Sequence, residues 1–330
     1  MLNHKCLRFA AVCLMALPLW MSGQTNAGAP GDAAPATAGP ASGVVTIGND
    51  QVQLSVDPAR GRITGYGFKG GGNVFWENPK AVEFAPKFGG WINWGGDKVW
   101  VWPQDDWNWP PPIPDLPHEV KKDGNVIEMI SPVVPRYGIR VVRRIELSER
   151  GTEVTVKSRF IVAGKMPDGV PIGVWSVTQV PATPYVLARA TGSGGEIRLN
   201  HIGDANIGHE KLADNLVWLK RPGTKSGKVA LDAELMAAAY GDYMIVQRQY
   251  LQSPQVGVLQ VATRGQLYAH PDNADNLPAG WPTYMELEWI TPSVPRVEVE
   301  KVELKVVYKL VKLKPGTTLR ELGDLVAKLE

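Results

Sequence analysis

Two carboxylates, Glu286 and Glu288, stand two positions apart in the segment TYMELEW late in the chain. Side chains alternate between the two faces of a β-strand, so a strand here would place both acids on one face. Met285, Leu287 and Trp289 would then point into the core. Two carboxylates at this spacing have β-carbons about 7 Å apart, and burial with mutual repulsion would raise one pKa. They are candidate catalytic residues for acid–base chemistry or for binding sugar hydroxyls, and a solvated outer face is the alternative.

The stretch from Trp76 to Trp109 holds seven of the twelve tryptophans of the chain, interleaved with glycines and polar residues. A core prefers Leu, Ile and Val, because a buried indole N–H needs a hydrogen-bond partner. A flat indole face beside hydrogen-bonding groups suits a ligand with an apolar face and a polar rim, such as a sugar ring. The candidate substrate-binding residues of this stretch are Trp91, Trp94, Asp97, Lys98, Trp100, Trp102, Gln104, Trp107 and Trp109. The alternative is that these tryptophans only pack a large loop onto a sheet.

Three further residues join this candidate site. Trp175 and Gln179 alternate in phase in the predicted strand VWSVTQVP, so they share a face. Trp281 follows a loop-like segment and immediately precedes the region of the two carboxylates. The histidines show no metal-ligand spacing, so the sequence predicts neither a metal nor another cofactor. It leaves open whether carboxylates alone bind a metal.

The N-terminal segment, residues 1–29, contains Lys5 and Arg8, then an apolar run and a stretch of small residues. This is the layout of a Sec signal peptide, and the apolar run is too short for a stable membrane span. Both cysteines lie within the segment, and none follows the apolar run where a lipid anchor would be attached. Residues 30–43, rich in Ala, Pro and Gly, predict a disordered linker, and residues 44–330 a single domain. The expected location is secreted or periplasmic.

The net charge of the chain indicates which classes of partner to expect. The chain has 35 Lys and Arg residues against 33 Asp and Glu residues. Lys5 and Arg8 belong to the predicted leader, so cleavage after Ala27 or Ala29 would leave 33 of each sign. A balanced chain predicts no nucleic-acid partner and no membrane insertion after cleavage.

Short β-branched runs bounded by Gly, Pro, Asn and Asp follow one another from residue 44 onwards, without a repeat. This pattern predicts an all-β fold, a large antiparallel β-sandwich. Hairpin turns are predicted at residues 48–50, 70–73 and 264–265. The segment ALDAELMAAAY, residues 230–240, has the pattern of a short helix or a loop.

Two further patterns concern local structure. PRVEVEKVELKVVYKLVKL predicts long strands, and a short helix follows them, with Thr318 and Glu321 as its capping box. In GIRVVRRIEL, Arg143 alternates out of phase with Arg140 and Arg144. This arginine cluster indicates a solvated sheet face with ion pairs rather than an anion site.

With these segments in place, the chain resembles an uncharacterised bacterial secreted family of the galactose mutarotase-like, or aldose 1-epimerase-like, superfamily. The resemblance covers residues 44–315, and its most specific part is the tryptophan-rich motif. The segments that carry it are DPARGRITGYGFKGGGNVFWEN, GGWINWGGDKVWVWPQDDWNWPPPIPD, GIRVVRRIEL, IGVWSVTQV and YMELEWITP. It implies a β-supersandwich of two large antiparallel sheets with a sugar-binding concave face.

The resemblance also implies roles for individual residues. In aldose 1-epimerases a glutamate late in the chain acts as base, with two histidines, one of them the acid. Glu288 matches that glutamate. The histidine positions fall near Trp94 and within VWSVTQV, where this chain has no histidine. Turnover would therefore need another acid, such as Asp97 or Lys98.

Three functions follow from these patterns. The first is a secreted carbohydrate-binding protein without turnover, with mono- or oligosaccharides as partners. The second is a carbohydrate-active isomerase or lyase, epimerase-like in its chemistry, with Glu288 or Glu286 as the base. The third is a structural envelope protein whose tryptophans only pack. The sequence specifies neither the sugar nor the oligomeric state.

Overall fold

The computed structural model describes residues 43–88, 90–104, 107, 111, 113, 115–165, 170–190, 197, 199–202, 206–221, 226–252, 265–269 and 283–329. The predicted leader and nearly all of the predicted linker lie outside this part of the chain. So do Trp109, Trp281 and the first residue of the turn predicted at 264–265. The domain boundaries therefore remain predictions. No helix among the described residues is long and apolar enough to cross a membrane.

The described chain is built almost entirely of strands. In chain order they are β1 (Val45–Gly48), β2 (Val52–Asp57), β3 (Arg62–Phe68), β4 (Asp97–Trp102), β5 (Glu119–Asp123), β6 (Val126–Ile130), β7 (Ile139–Leu147), β8 (Val154–Val162), β9 (Gly173–Pro181), β10 (Tyr185–Ala190), β11 (Leu199–Ile202), β12 (Gly208–Ala213), β13 (Leu216–Lys220), β14 (Gly227–Leu231), β15 (Ala233–Tyr240), β16 (Tyr243–Gln252), β17 (Gly265–Ala269), β18 (Tyr284–Ile290) and β19 (Glu303–Lys312). The helices are α1 (Ala81–Phe84) and α2 (Leu319–Ala327), with 3-10 turns at Ala85–Phe88 and Arg296–Lys301.

Two antiparallel sheets contain these strands. The nine-stranded sheet has the order β1-β2-β3-β4-β9-β18-β17-β14-β11, and the ten-stranded sheet has the order β12-β13-β10-β15-β16-β19-β8-β7-β6-β5. The sheets pack face to face over one large core, to which both contribute buried Val, Ile and Leu side chains. This confirms the predicted all-β antiparallel sandwich. It also means that each sheet has an outer face, which looks away from the core.

The short C-terminal helix is confirmed as α2. Thr318 is its N-cap, and the Thr318 and Glu321 side chains each accept a hydrogen bond from the other's backbone N–H. Leu322 and Val326 bury one face of the helix against the outer face of the ten-stranded sheet. The helix therefore packs on the sandwich.

The segment predicted as a helix or loop at residues 230–240 is a strand, β15, which lies between β10 and β16. Its alanines made a helix plausible, because Ala has the highest helix propensity. In the sheet, Ala237 and Ala239 belong to the same buried cluster as Leu322 and Val326 of α2. Small side chains at these positions let the helix approach the sheet closely, so tertiary packing overrides local propensity.

Two other local predictions are wrong. The chain does not form a hairpin around residues 70–73, because the segment after that turn leaves β3 and reaches β9, where the Trp76 N–H donates to the Gln179 carbonyl at 2.9 Å. The segment Arg296–Lys301 is a 3-10 turn rather than part of a strand. The hairpin predicted at residues 48–50 is confirmed by the pairing of β1 with β2.

Candidate functional site

The strand β18 sorts its side chains as the alternation predicted. Met285, Leu287 and Trp289 are buried in the core between the sheets, and the Trp289 indole N–H donates to Gln247 Oε1 at 2.8 Å. Gln247 belongs to β16 of the opposite sheet, so this bond crosses the core. Glu286 and Glu288 therefore point to the outer face of the nine-stranded sheet. That face is not solvated here, because Glu288 is fully buried and Glu286 is 7% exposed.

The neighbouring strand β9 supplies the partner of Glu286. Glu286 and Gln179 are directly opposite in the antiparallel register, and Gln179 Nε2 donates to Glu286 Oε1 at 2.9 Å. Lys98, from β4 on the other side of β9, places Nζ 3.5 Å from the same oxygen. Three adjacent strands thus bring an amide, a carboxylate and an amine together at the centre of the sheet.

Glu288 has a second set of partners. The Trp175 indole N–H donates to Glu288 Oε2 at 2.7 Å, and Lys228 Nζ lies 2.9 Å from the same oxygen. Lys228 also lies over the Trp175 ring, 4.7 Å from its centroid. Sequence reasoning missed Lys228. Its only signal was its place in the short run GKVAL, and nothing in that run indicated that β14 would join this face through β17.

The Glu288 carboxyl has a shifted pKa. Burial raises its pKa and the nearby Glu286 carboxylate adds to the rise, whereas Lys228 and the Trp175 N–H oppose it. The pKa of Lys98 shifts in the opposite direction. Burial lowers the pKa of Lys98 to about 8, although the attraction of Glu286 opposes the fall. An acid with a raised pKa and an amine with a lowered pKa therefore occupy one face, which is a typical feature of functional sites.

Two acceptor oxygens on this face have no hydrogen-bond partner among the described residues. They are Oε1 of Glu288 and Oε1 of Gln179, both buried. Buried polar atoms are nearly always hydrogen-bonded, because leaving one unpaired costs about 1–3 kcal/mol. Each of these oxygens can accept a hydrogen bond from an O–H or N–H group of a ligand.

The tryptophans form a packed cluster around Trp175. The ring centroids of Trp100 and Trp102 lie 5.2 Å and 5.8 Å from that of Trp175, both edge to face, and Trp107 lies 6.3 Å away. All four rings are buried. Edge-to-face packing is a favourable arrangement for aromatic pairs, but it leaves no exposed flat face. These four rings therefore support the site rather than form an open stacking surface.

The remaining predicted residues are more peripheral. Trp91, Trp94 and Gln104 are half-buried, and Trp109 and Trp281 lie outside the described residues. Trp91 contacts Trp100 with ring centroids 6.5 Å apart, and the Arg60 guanidinium lies 3.7 Å from the centroid of Trp94. Of the described tryptophans in the predicted set, only Trp91 and Trp94 retain substantial exposure.

Asp97 does not lie with the other predicted residues. It points between the sheets, where it forms an ion pair with Arg143 of β7 and accepts hydrogen bonds from Tyr308 Oη at 2.8 Å and Thr178 Oγ1 at 2.5 Å. Asp97 is fully buried, and Arg143 is 1% exposed. Arg143 is thus the interior member of the arginine cluster, which corrects the prediction of a wholly solvated face. Asp97 connects the two sheets and is remote from a ligand on the outer face.

Glycines at the start of β4 decide which side chain points inward. Gly95 and Gly96 both have positive φ angles. A β-carbon on Gly96 would lie 2.4 Å from the Ile63 carbonyl oxygen, so only glycine fits where the chain passes β3. The strand that follows directs Asp97 into the core and Lys98 to the outer face.

Within the described ranges, no three His, Cys, Asp or Glu side chains are grouped as a metal site would require. The two carboxylates on the outer face are each paired with a lysine, so their charge is already balanced locally.

Solved structures share this fold at low sequence identity. A candidate aldose 1-epimerase from Escherichia coli K12 matches with a TM-score of 0.51 and 12% identity, over 82% of this chain and 99% of that chain. A candidate mutarotase from Salmonella typhimurium gives 0.50 and 14%, over 82% and 90%. A TPR-domain-containing protein from Parabacteroides distasonis gives 0.52 and 13%, over 84% of this chain and 48% of that chain. No family model matches the chain, and no curated protein matches its sequence.

These similarities define the class of the fold. The chain has the two-sheet sandwich fold of these solved structures, which is the fold that the sequence resemblance implied. At these identities the likeness extends to the fold alone, so the function must be argued from the side chains on the outer face.

Proposed function

We propose that this protein binds carbohydrate on the outer face of its nine-stranded sheet, around Glu286, Glu288 and Gln179. The observation that carries the proposal is the pair of buried acceptors beside the tryptophan cluster, Glu288 Oε1 and Gln179 Oε1, which have no hydrogen-bond partner in the described part of the chain. A sugar supplies several hydroxyl donors at short spacing on a compact ring. The solved structures with this fold include proteins named as an aldose 1-epimerase and a mutarotase, which supports a sugar as the ligand.

Donors on the same face complete the pattern. Lys98 and Lys228 carry several N–H donors each, and in the structure they contact Glu286 and Glu288. A hydroxyl both donates and accepts, so a sugar can bond an amine and a carboxylate with neighbouring oxygens. Stacking on an indole face is assigned only to Trp91, because the Arg60 guanidinium lies over the Trp94 ring and the other described rings of the cluster are buried.

A glycan panel tests this proposal. Binding of a mono- or oligosaccharide is expected to change tryptophan fluorescence, because the ligand would lie beside the cluster, and to raise the melting temperature. Glu286→Gln is expected to weaken that binding by roughly tenfold, since hydrogen bonds to a charged group are among the stronger ones. Glu146→Gln, an exposed position on the opposite sheet, is the matched control and should bind normally. A broad panel that changes neither fluorescence nor melting temperature would contradict the proposal.

The second candidate function is acid–base catalysis on a sugar. The raised pKa of Glu288 and the lowered pKa of Lys98 favour it, because a base and an acid work best when their pKa values approach the working pH. In this assignment Glu288 removes a proton and Lys98 returns one. Lys98 replaces the acid histidine that the resemblance implied, and Asp97 is not used because it lies between the sheets.

We also propose that the protein is exported. The support is the predicted signal peptide in residues 1–29 and the absence of cysteine from the chain that follows it. Protein recovered from the periplasm or the medium is expected to begin after Ala27 or Ala29, as N-terminal sequencing would show. Recovery of the uncleaved chain in the cytoplasm alone would refute this proposal.

A further inference from the structure

A cleft lies beside the outer face, where Arg60 and Gly61, just before β3, meet β4, β7 and residues 115–118. Its volume is about 310 Å³ with its opening to solvent included. The polar and aromatic side chains that line it include Arg60, Lys98, Trp100, Asp115, His118 and Arg143. Lys98, which contacts Glu286, also lines the cleft, so the cleft adjoins the proposed carbohydrate site.

Basic side chains outnumber acidic ones on the cleft lining. The single acid among the six, Asp115, is already paired, because Arg62 Nε and Nη2 lie 2.7 Å and 2.6 Å from Asp115 Oδ1. Arg143 pairs with Asp97, but its buried Nε atom has no hydrogen-bond partner among the described residues. Arg60 retains a side-chain exposure of 39%, pairs with Asp57 at 3.3 Å and lies over the Trp94 ring. The cleft lining therefore carries one buried donor, Arg143 Nε, without a partner among the described residues, and two cations, Arg60 and Lys98, that are each paired with a carboxylate.

Two lining groups have lowered pKa values, mainly because they are buried. Burial lowers the pKa of Lys98 to about 8, and the positive charge of Arg62 contributes in the same direction. Burial also lowers the pKa of His118, and Arg143 adds to that fall. Glu286 and Asp115 oppose these shifts without cancelling them. The Lys98 ammonium lies 3.5 Å from Glu286 Oε1, a long contact that leaves it able to bind a second anion.

We propose that this cleft binds the anionic substituent, a carboxylate or a sulfate ester, of an acidic carbohydrate whose ring lies on the outer face. This inference rests on the proposed carbohydrate function and narrows it to acidic sugars. Arg60 and Lys98 bind the anionic oxygens, and Arg143 contributes positive charge from the floor of the cleft. Lys98 connects the anion to Glu286, so the acidic group and the ring are recognised together.

Paired oligosaccharides test the inference by isothermal titration calorimetry. Trigalacturonate and a sulfated galactotriose are compared with unmodified galactotriose on the wild-type protein. One of the two anionic ligands is expected to bind at least about tenfold more tightly than the neutral one, since charge-assisted hydrogen bonds are the strong ones. The ligand that does so identifies the anion as a carboxylate or a sulfate ester.

Two variants locate the effect. Arg60→Gln should remove most of the preference for the anionic ligand over the neutral one. Arg140→Gln is the matched control, because its exposure of 35% and its ion pair with Glu119 at 3.8 Å resemble the exposure and ion pair of Arg60. The melting temperatures of both variants verify that they fold.

The pH dependence gives an independent readout. Above about pH 8 the free protein holds Lys98 without its proton, so binding of the anionic ligand near that pH should take up a proton. Titrations in buffers of different ionisation enthalpy measure this uptake, and Lys98→Met should abolish it. Equal affinity for neutral and anionic ligands, or an unchanged preference in Arg60→Gln, would overturn the inference and leave the carbohydrate proposal intact. If no ligand binds in this experiment or in the wider glycan panel, both the acidic-sugar inference and the carbohydrate proposal are overturned.

Discussion

The Asp97→Ala variant is expected to lose about 3–5 kcal/mol of unfolding free energy, as measured by urea denaturation, because it breaks a buried ion pair from one side. Arg143 would keep its charge in the core with no carboxylate beside it. The hydroxyls of Tyr308 and Thr178 would lose their acceptor at the same time. These contacts connect β4 and β9 of one sheet with β7 and β19 of the other, so the loss affects the packing of the whole sandwich.

Two comparisons verify the cause. Arg144→Gln removes an exposed pair with Glu146 and should change stability by about 0–1 kcal/mol, because solvent screens surface ion pairs. The double variant Asp97→Leu with Arg143→Met should regain part of the loss, since it leaves no buried charge unpaired. A loss below about 1 kcal/mol in Asp97→Ala would show that the inter-sheet ion pair is not formed as the structure has it.

The second candidate function predicts a large effect of one carboxyl group. The rate of sugar-dependent proton exchange is expected to fall by about 10²–10⁴-fold in Glu288→Gln. This rate is measured as deuterium incorporation at the anomeric or adjacent carbon. The amide keeps the shape of the side chain but cannot accept a proton. Equal exchange in the variant and the wild type would remove Glu288 as the base.

The stability of the same variant separates loss of chemistry from loss of fold. The folded protein holds the Glu288 proton more tightly than the unfolded chain, because burial raises its pKa. Once the pH exceeds the unfolded pKa, ionisation of Glu288 therefore opposes folding. Glu288→Gln removes this opposition, so its melting temperature at neutral pH should be equal to that of the wild type or higher. A collapse of the melting temperature would instead identify Glu288 as a structural residue.

The sequence predicts the faces of a strand well where hydrophobic alternation is strong. In β18, Met285 and Leu287 alternate with the two glutamates, and the sheet buries the apolar set between the layers as expected. The pattern alone therefore predicts that the two carboxylates share one face. It does not predict that this face is almost completely buried, because the packing that shields Glu288 comes from segments distant in the chain.

The sequence predicts the faces of β4 poorly. Asp97 and Lys98 are adjacent and both polar, and tryptophans replace the usual aliphatic alternation, so nothing local indicates which of them points inward. Asp97 points inward because Gly96 passes close to β3 and because the Arg143 guanidinium lies in the core, where it pairs with Asp97. Arg143 was unpredictable for the same reason, since a buried arginine is recognisable only through its partner.

Strand β19 occupies the middle of the larger sheet, between β16 and β8, although it is the last strand of the chain. It pairs with β16 over ten residues, and its Tyr308 reaches Asp97, 211 positions earlier. The core therefore cannot be completed before β19 has been synthesised. Topologies dominated by such non-local pairings fold slowly, so the chain remains unfolded for longer after its synthesis.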